Sequence, residues 1–266
     1  MRELQCEVGG DLWTATDIGI GPPVVLIHAF PLDSRMWRFV QVDLEPSRRV
    51  ISVDLPGFGK SRSGSDASPT IEHWAGSLLQ ALEHWQVPAP FTVCGLSMGG
   101  YVALECWRQA PQKIDKLILC DTRAEADTDA QREARAKFAQ EVLREGSKVA
   151  VTNMLPKLLG ATSMADEPEL IEELQAWIER VEPKSIAGAL QAMARRRDFK
   201  DQLTKIECPV ACIVGAEDQV TPPVQMQALA AAIPNGSCRV IAEAGHLPPL
   251  EQPTAFCGML RRALQI

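Results

Sequence analysis

The sequence predicts an α/β fold: a mainly parallel sheet of eight strands flanked by helices, with a helical insertion after the sixth strand. Three observations carry that expectation. Short apolar or β-branched runs alternate with longer stretches whose apolar residues recur at helical spacing. Val24-Val25-Leu26-Ile27 is apolar without a break, as a strand buried on both faces requires. From Thr122 to about Thr204 the strand rhythm stops and only helical pattern remains.

Taken in order, Leu4–Val8 and Leu12–Thr16 read as an opening hairpin around Gly9-Gly10. Val24–Ile27, Val50–Val53, Phe91–Cys94, Leu117–Cys120, Val210–Val214 and Cys238–Ile241 follow as the third to eighth strands. Ser34–Val42, Thr70–Trp85, Met98–Gln109, Val224–Ile233 and Thr254–Leu264 have helical spacing. Thr70 is a suitable N-cap, and Pro88 and Pro111 fall just past two helix ends. Gly160, Pro168 and Pro183 divide the insertion into about four helices. It is too short and too charged to hide a good core alone. Residues 1–121 and 205–266 are therefore expected to form the core, with 122–204 as a helical cap, or lid, over it.

Composition narrows the class of function. The chain has 266 residues, 46% of them hydrophobic and 23% charged, ordinary values for a globular protein with a large core. Lys and Arg number 27 against 34 Asp and Glu, a net charge of −7. The longest basic run is Arg195-Arg196-Arg197, read as a solvated patch at a helix end. Nucleic acid and anionic membranes want a concentrated cationic face, so neither is expected as a partner. The N-terminus carries acids where a signal peptide needs an apolar stretch, and no run approaches the roughly 18 apolar residues of a membrane span. A cytoplasmic location is expected. The eight cysteines lack a Cys-x-x-Cys pair, and Cys94, Cys120, Cys212 and Cys238 fall in or at the ends of strand-like runs, where they act as small hydrophobes. Neither disulfides, a zinc site nor any other metal or cofactor is expected.

The strongest local signal is Gly95-Leu96-Ser97-Met98-Gly99, with a strand before it and a helix directly after. Small residues two before and two after the serine permit a sharp turn that lifts the hydroxyl above the sheet edge. The helix that follows aims its positive end at the same point. A hydroxyl is a weak nucleophile without a base, and histidine suits that task near neutral pH. Of the four histidines, His73 and His84 read as helix-face residues and His28 ends the third strand. His246, in a loop between the last strand and the last helix, is the candidate base. The acid that orients it should close a late strand. Asp218 does so in Gly215-Ala216-Glu217-Asp218, with Glu217 expected to point elsewhere; Asp121, closing the sixth strand, is the rival. Acyl transfer also needs donors aimed at the developing oxyanion. The amides of Met98 and of Phe30, in the loop after the third strand, are the candidates. The Phe30 ring is read as lining the acyl site, or as a core aromatic.

His28-Ala29-Phe30, Asp54-Leu55-Pro56-Gly57-Phe58-Gly59-Lys60-Ser61, the serine turn, Gly215-x-x-Asp218 and Gly245-His246 together resemble the α/β-hydrolase superfamily from end to end. Within it the chain is similar to small carboxylesterases, 3-oxoadipate enol-lactonases and cofactor-free perhydrolases. The resemblance implies a triad of Ser97, Asp218 and His246 with oxyanion donors at Phe30 and Met98. The family usually has glycine after the first histidine, where this chain has Ala29. A serine nucleophile sets the chain apart from haloalkane dehalogenases and epoxide hydrolases, which use aspartate there. The expected activity is hydrolysis of carboxylic esters with small to medium apolar acyl groups through an acyl-enzyme. Lactone or carbon–carbon bond hydrolysis on the same residues is the alternative, with a ligand receptor on the same fold behind it. Leu158 and Trp177, from the insertion, are expected to line the acyl pocket together with Phe30. A dicarboxylate-type lactone would also want a cation, for which Arg123 or Arg135 stands near.

Overall fold

The computed structural model describes residues 1–64 and 69–266. Eight strands form one sheet: β1 (Arg2–Val8), β2 (Asp11–Ile18), β3 (Pro23–Ile27), β4 (Arg49–Asp54), β5 (Phe91–Leu96), β6 (Ile114–Cys120), β7 (Val210–Gly215) and β8 (Gly236–Ile241). Their spatial order is β1-β2-β4-β3-β5-β6-β7-β8. β1 pairs antiparallel with β2, and β2 with β4; every other pair is parallel. The parallel strands explain the unbroken apolar runs: helices cover both faces, so β3 and β5 are buried at every residue. The edge strands β1 and β8 instead are half-buried or exposed at every residue but the last.

The helices are α1 (Arg38–Leu44), α2 (Ile71–His84), α3 (Met98–Gln109), α4 (Asp129–Glu145), α5 (Lys148–Leu158), α6 (Ala161–Asp166), α7 (Pro168–Glu179), α8 (Pro183–Arg195), α9 (Lys200–Leu203), α10 (Pro223–Ala231), α11 (Pro248–Glu251) and α12 (Pro253–Leu264). The stretch expected as one helix from Ser34 is two. Asp33 accepts from the Arg35 amide and starts a 3₁₀ turn, Ser34–Trp37, before α1 begins. Thr70 caps α2, accepting from the His73 amide at 3.0 Å.

Between β6 and β7 stand α4 to α9, six helices where about four are expected. Gly160, Pro168 and Pro183 lie at helix starts as anticipated. The further break is Gly146, which ends α4 with φ of 90°, a conformation open to glycine. The other addition, α9, is a single short turn. Asp127, buried at the start of the insertion, pairs with Arg135 at 2.5 Å and Arg196 at 2.6 Å. The Arg196 guanidinium also lies 4.3 Å from the centre of the Tyr101 ring on α3. The ion pairs tie the two ends of the insertion together, and the Arg196–Tyr101 contact anchors it to α3. Among the described residues no helix is long and apolar enough to cross a membrane.

In the parallel register Ile27 pairs with Gly95, Leu96 with Cys120, and Gly215 with Ile241. The loops after β3, β5, β6, β7 and β8 thus emerge along one edge, the carboxyl edge where ligands of such sheets bind.

Candidate active site

Ser97 sits between β5 and α3 with φ 54° and ψ −112°, a backbone conformation that non-glycine residues rarely hold. Three bonds keep it there. Its amide donates to the Cys120 carbonyl at 2.9 Å, and its carbonyl accepts from the Gly100 amide at 2.9 Å and the Thr122 hydroxyl at 2.8 Å. The neighbouring glycines are small for steric reasons. A Cβ on Gly95 would stand 2.1 Å from the Gly99 carbonyl oxygen, and one on Gly99 would stand 2.2 Å from that of Ile27. The first turn of α3 therefore rests directly on the end of β3.

His246 and Asp218 meet at 2.8 Å, Nδ1 to Oδ2, and both are buried. Asp218 Oδ1 accepts from the Val220 amide at 2.7 Å and the Thr221 amide at 3.1 Å; Oδ2 accepts from the Thr221 hydroxyl and from His246. Each oxygen has two donors, which fills its acceptor capacity. Burial raises the Asp218 carboxyl, but the charge and hydrogen bond of His246 and the Thr221 donors outweigh it, bringing it down to about 2. An ionised carboxylate only accepts, so the proton between the two groups belongs to Nδ1 and the lone pair of the neutral ring to Nε2. Among the described residues the Ser97 hydroxyl forms no hydrogen bond with Nε2; such contacts are often long before substrate binds.

Asp121 lies beside this pair rather than in it. An oxygen of Asp121, an oxygen of Asp218 and a ring nitrogen of His246 all fall within 4.8 Å of one another. Asp121 is fully buried with φ of 44°; Oδ1 accepts from the Gly215 amide at 2.9 Å, and Oδ2 has no hydrogen-bond partner among the described residues. Burial, then the nearby Asp218 charge, pushes its carboxyl well above the usual range. Glu217 turns away from His246, accepting from the Thr162 amide at 2.9 Å and its hydroxyl at 2.6 Å.

After β3, the His28 Nδ1 donates to the Ala29 carbonyl at 2.9 Å while Nε2 accepts from the Leu55 amide at 3.0 Å. Burial lowers the basicity of this ring, in keeping with a neutral structural histidine. Ala29 fits its position, fully buried, with its amide on the Met36 sulfur at 3.2 Å. The Phe30 ring packs edge-on to Phe58, 6.5 Å between centres. Among the described residues, the Phe30 and Met98 amides take no part in the backbone bonds of the turns and loops.

The remaining candidates separate. Leu158 approaches the pair through its backbone, its carbonyl accepting from the His246 amide at 3.1 Å, while its side chain is fully buried. Trp177 stands apart from them, under the guanidinium groups of Arg35 (4.6 Å) and Arg38 (5.3 Å). It lines a groove of about 1290 Å³ between the insertion and the core, with Asp33, Arg35, Pro56, Gly57 and Gly188 among the other walls. Of the expected cations, Arg135 is paired with Asp127, and Arg123 donates to the Val220 carbonyl. Thr122, Thr221 and Glu251 support the site and are not singled out in the sequence; Thr122 and Glu251 act on backbone groups, and only Thr221, three residues after Asp218, has a local side-chain partner.

A serine on a strained strand–turn–helix and an Asp–His pair, both in loops at the carboxyl edge of this sheet, point to a class. The model of the alpha/beta hydrolase family matches residues 24–258, and the chain belongs to that family. Among its relatives, 3-oxoadipate enol-lactonase 2 of Acinetobacter baylyi is 26% identical over 256 residues, covering 92% of this chain and 93% of the other. The pimeloyl-[acyl-carrier protein] methyl ester esterase of Aromatoleum aromaticum is 27% identical, covering 87% and 94%. Among solved structures, a thermophilic esterase from Thermogutta terrifontis with malate bound has a TM-score of 0.95 and 36% identity, covering 100% of this chain and 98% of that one.

Proposed function

We propose that the chain is a serine hydrolase that cleaves carboxylic esters of small to medium apolar acyl groups through an acyl-enzyme. The observation that carries this is the saturated Asp218 carboxylate bonded to His246 Nδ1, which leaves the ring's lone pair on Nε2, at the same sheet edge as the Ser97 turn. In the proposed cycle Nε2 takes the Ser97 proton as Oγ bonds to the substrate carbonyl carbon, and the displaced π pair moves to oxygen. The Phe30 and Met98 amides receive that oxyanion. Collapse expels the alcohol, which takes the proton from Nε2. Water then repeats the sequence on the acyl-serine. Residues 122–204 are the proposed cap over a core of 1–121 and 205–266.

A lactone is an ester whose alcohol stays attached, so the same steps would open one. The enol-lactonase relative supports that second reading. Of the two cations such a substrate could use, Arg135 is held by Asp127, while Arg123 donates only to the Val220 carbonyl.

The test is labelling and rate together. A fluorophosphonate should add once, on the peptide holding Ser97. Ser97→Ala should lower kcat on p-nitrophenyl esters by at least ~10⁴-fold with the fold intact. Labelling elsewhere, or an active alanine variant, refutes the assignment. An enol-lactone and an amide in the same panel separate the two substrate readings, and turnover beyond a few events per protein excludes a receptor.

A further inference from the structure

Three consecutive amides, those of Gly245, His246 and Leu247, hold the loop that carries the candidate base, and two of them end on one side chain. Glu251, in α11 and buried, accepts from Gly245 at 2.9 Å and from Leu247 at 2.9 Å. The His246 amide between them goes to the Leu158 carbonyl. The same Glu251 carboxylate reaches into the insertion, where Oε2 accepts from the Gly160 amide at 2.7 Å and the Ser163 hydroxyl at 2.8 Å. Every partner is a donor, so a group that accepts on both oxygens is what this position demands.

The insertion meets the other half of the pair only two residues away, where Thr162 donates twice to Glu217, the neighbour of Asp218. The contact is tight: a Cβ on Gly245 would stand 2.1 Å from the Gly160 nitrogen, and one on Gly160 would stand 2.4 Å from a Glu217 carboxylate oxygen. Residues 158–163 are thus wedged between the loop after β7 and the loop after β8. Those two loops supply Asp218 and His246 respectively.

We infer that Glu251 is a positioning residue, which by bridging the His246 loop to residues 160–163 of the insertion sets the imidazole against Asp218. It makes this part of the insertion a fixed strut rather than a moving flap. The inference rests on the proposed serine-hydrolase reading for its effect on rate, but not for its effect on the His246–Asp218 bond. A misplacement of the base by about 1 Å costs on the order of 10²-fold in rate.

Glu251→Gln tests it, because the amide keeps the volume but turns a donor toward groups that are all donors. Two readouts are taken: kcat and KM on a p-nitrophenyl ester, and the downfield proton NMR signal of His246 Nδ1–H in its bond to Asp218. The expected result is a ~10- to 10²-fold fall in kcat with KM nearly unchanged, together with a shifted or broadened Nδ1–H signal. Ser163→Ala, which removes one cap-side donor and leaves the amides, should move both readouts the same way by a smaller factor. An unmoved Nδ1–H signal in a folded Glu251→Gln protein overturns the inference, even if its melting temperature falls. Should that variant not fold, an unmoved signal in Ser163→Ala overturns it instead. If the wild type turns over no ester, the hydrolase reading fails while the NMR comparison still decides the positioning.

Discussion

Asp218 and Asp121 are two buried carboxyls side by side, and their surroundings drive them apart. Asp218 receives four donors and stays ionised; Asp121 receives one, from Gly215, and burial favours its neutral form. An asparagine therefore mimics Asp121 but not Asp218. Asp218→Asn should lower kcat by about 10³- to 10⁴-fold, since an amide facing His246 favours the wrong tautomer. Asp121→Asn should keep activity within about 10-fold. The reverse ranking in steady-state assays would move the acid to the sixth strand.

The same pair makes an acid-stability prediction. Asp218 titrates at about 2 in the fold, against roughly 3.9 for a free aspartate. Its folded value lies below its unfolded value, so the stabilisation is complete above pH ~4 and is lost as pH falls toward ~2. The gap of about two units corresponds to on the order of 2 kcal/mol. Urea unfolding at a series of pH values should show a slope between pH 4 and 2 that is shallower in Asp218→Asn than in wild type. Equal slopes would mean that Asp218 is not depressed. Asp121 has the opposite sign: its folded value lies above its unfolded one, so its share of stability is full in acid and fades as pH rises.

At the scale of elements, β5 and α3 meet with no room for a methyl group. A Cβ on Gly95 would stand 2.1 Å from the Gly99 oxygen and 2.7 Å from the Gly100 nitrogen, both backbone atoms that cannot swing aside. Gly95→Ala should therefore destabilise by about 1–3 kcal/mol as α3 shifts off β5. For a chain of this size that is a fall of several degrees in Tm, about 2–4 °C per kcal/mol. A melting curve unchanged within a degree would show that the turn yields freely. Much of this architecture is legible in the sequence because it is written locally. Runs such as Val24–Ile27 mark buried strands, and Gly95, Ser97 and Gly99 mark the turn within a few residues. Helix ends at Pro168 and Pro183 are equally local, because proline tolerates only the first turn. What escaped is of another kind. The 3₁₀ turn after Asp33 depends on a side chain capping a single amide. Thr122 acts on Ser97 from the loop after the neighbouring strand, and Glu251 joins donors in two segments far apart in sequence. No short window of sequence contains those partners.

At the scale of the whole molecule, the insertion is fastened at several places, among them the Arg196–Tyr101 contact, the Arg38–Glu173 and Arg197–Glu72 ion pairs, and residues 158–163 between the two loops of the pair. The groove of about 1290 Å³ lies between its α7 and α8 side and the core loops, with Trp177 as its largest apolar wall. If that groove takes the acyl chain, its walls set a length. Each methylene buried is worth about 0.8 kcal/mol, close to 4-fold, so kcat/KM should climb with chain length until the groove is full and then fall by steric exclusion. Trp177→Ala should move the optimum to longer chains. The corresponding Leu158 variant should act through His246 placement instead, since its side chain is fully buried and its carbonyl holds the His246 amide. The measurement is kcat/KM across p-nitrophenyl esters from acetate upward, in wild type and Trp177→Ala. A flat profile, or efficient triglyceride hydrolysis, would mean that the insertion does not enclose the acyl chain. An optimum that stays put in Trp177→Ala would place the chain elsewhere, against the Phe30 side of the site.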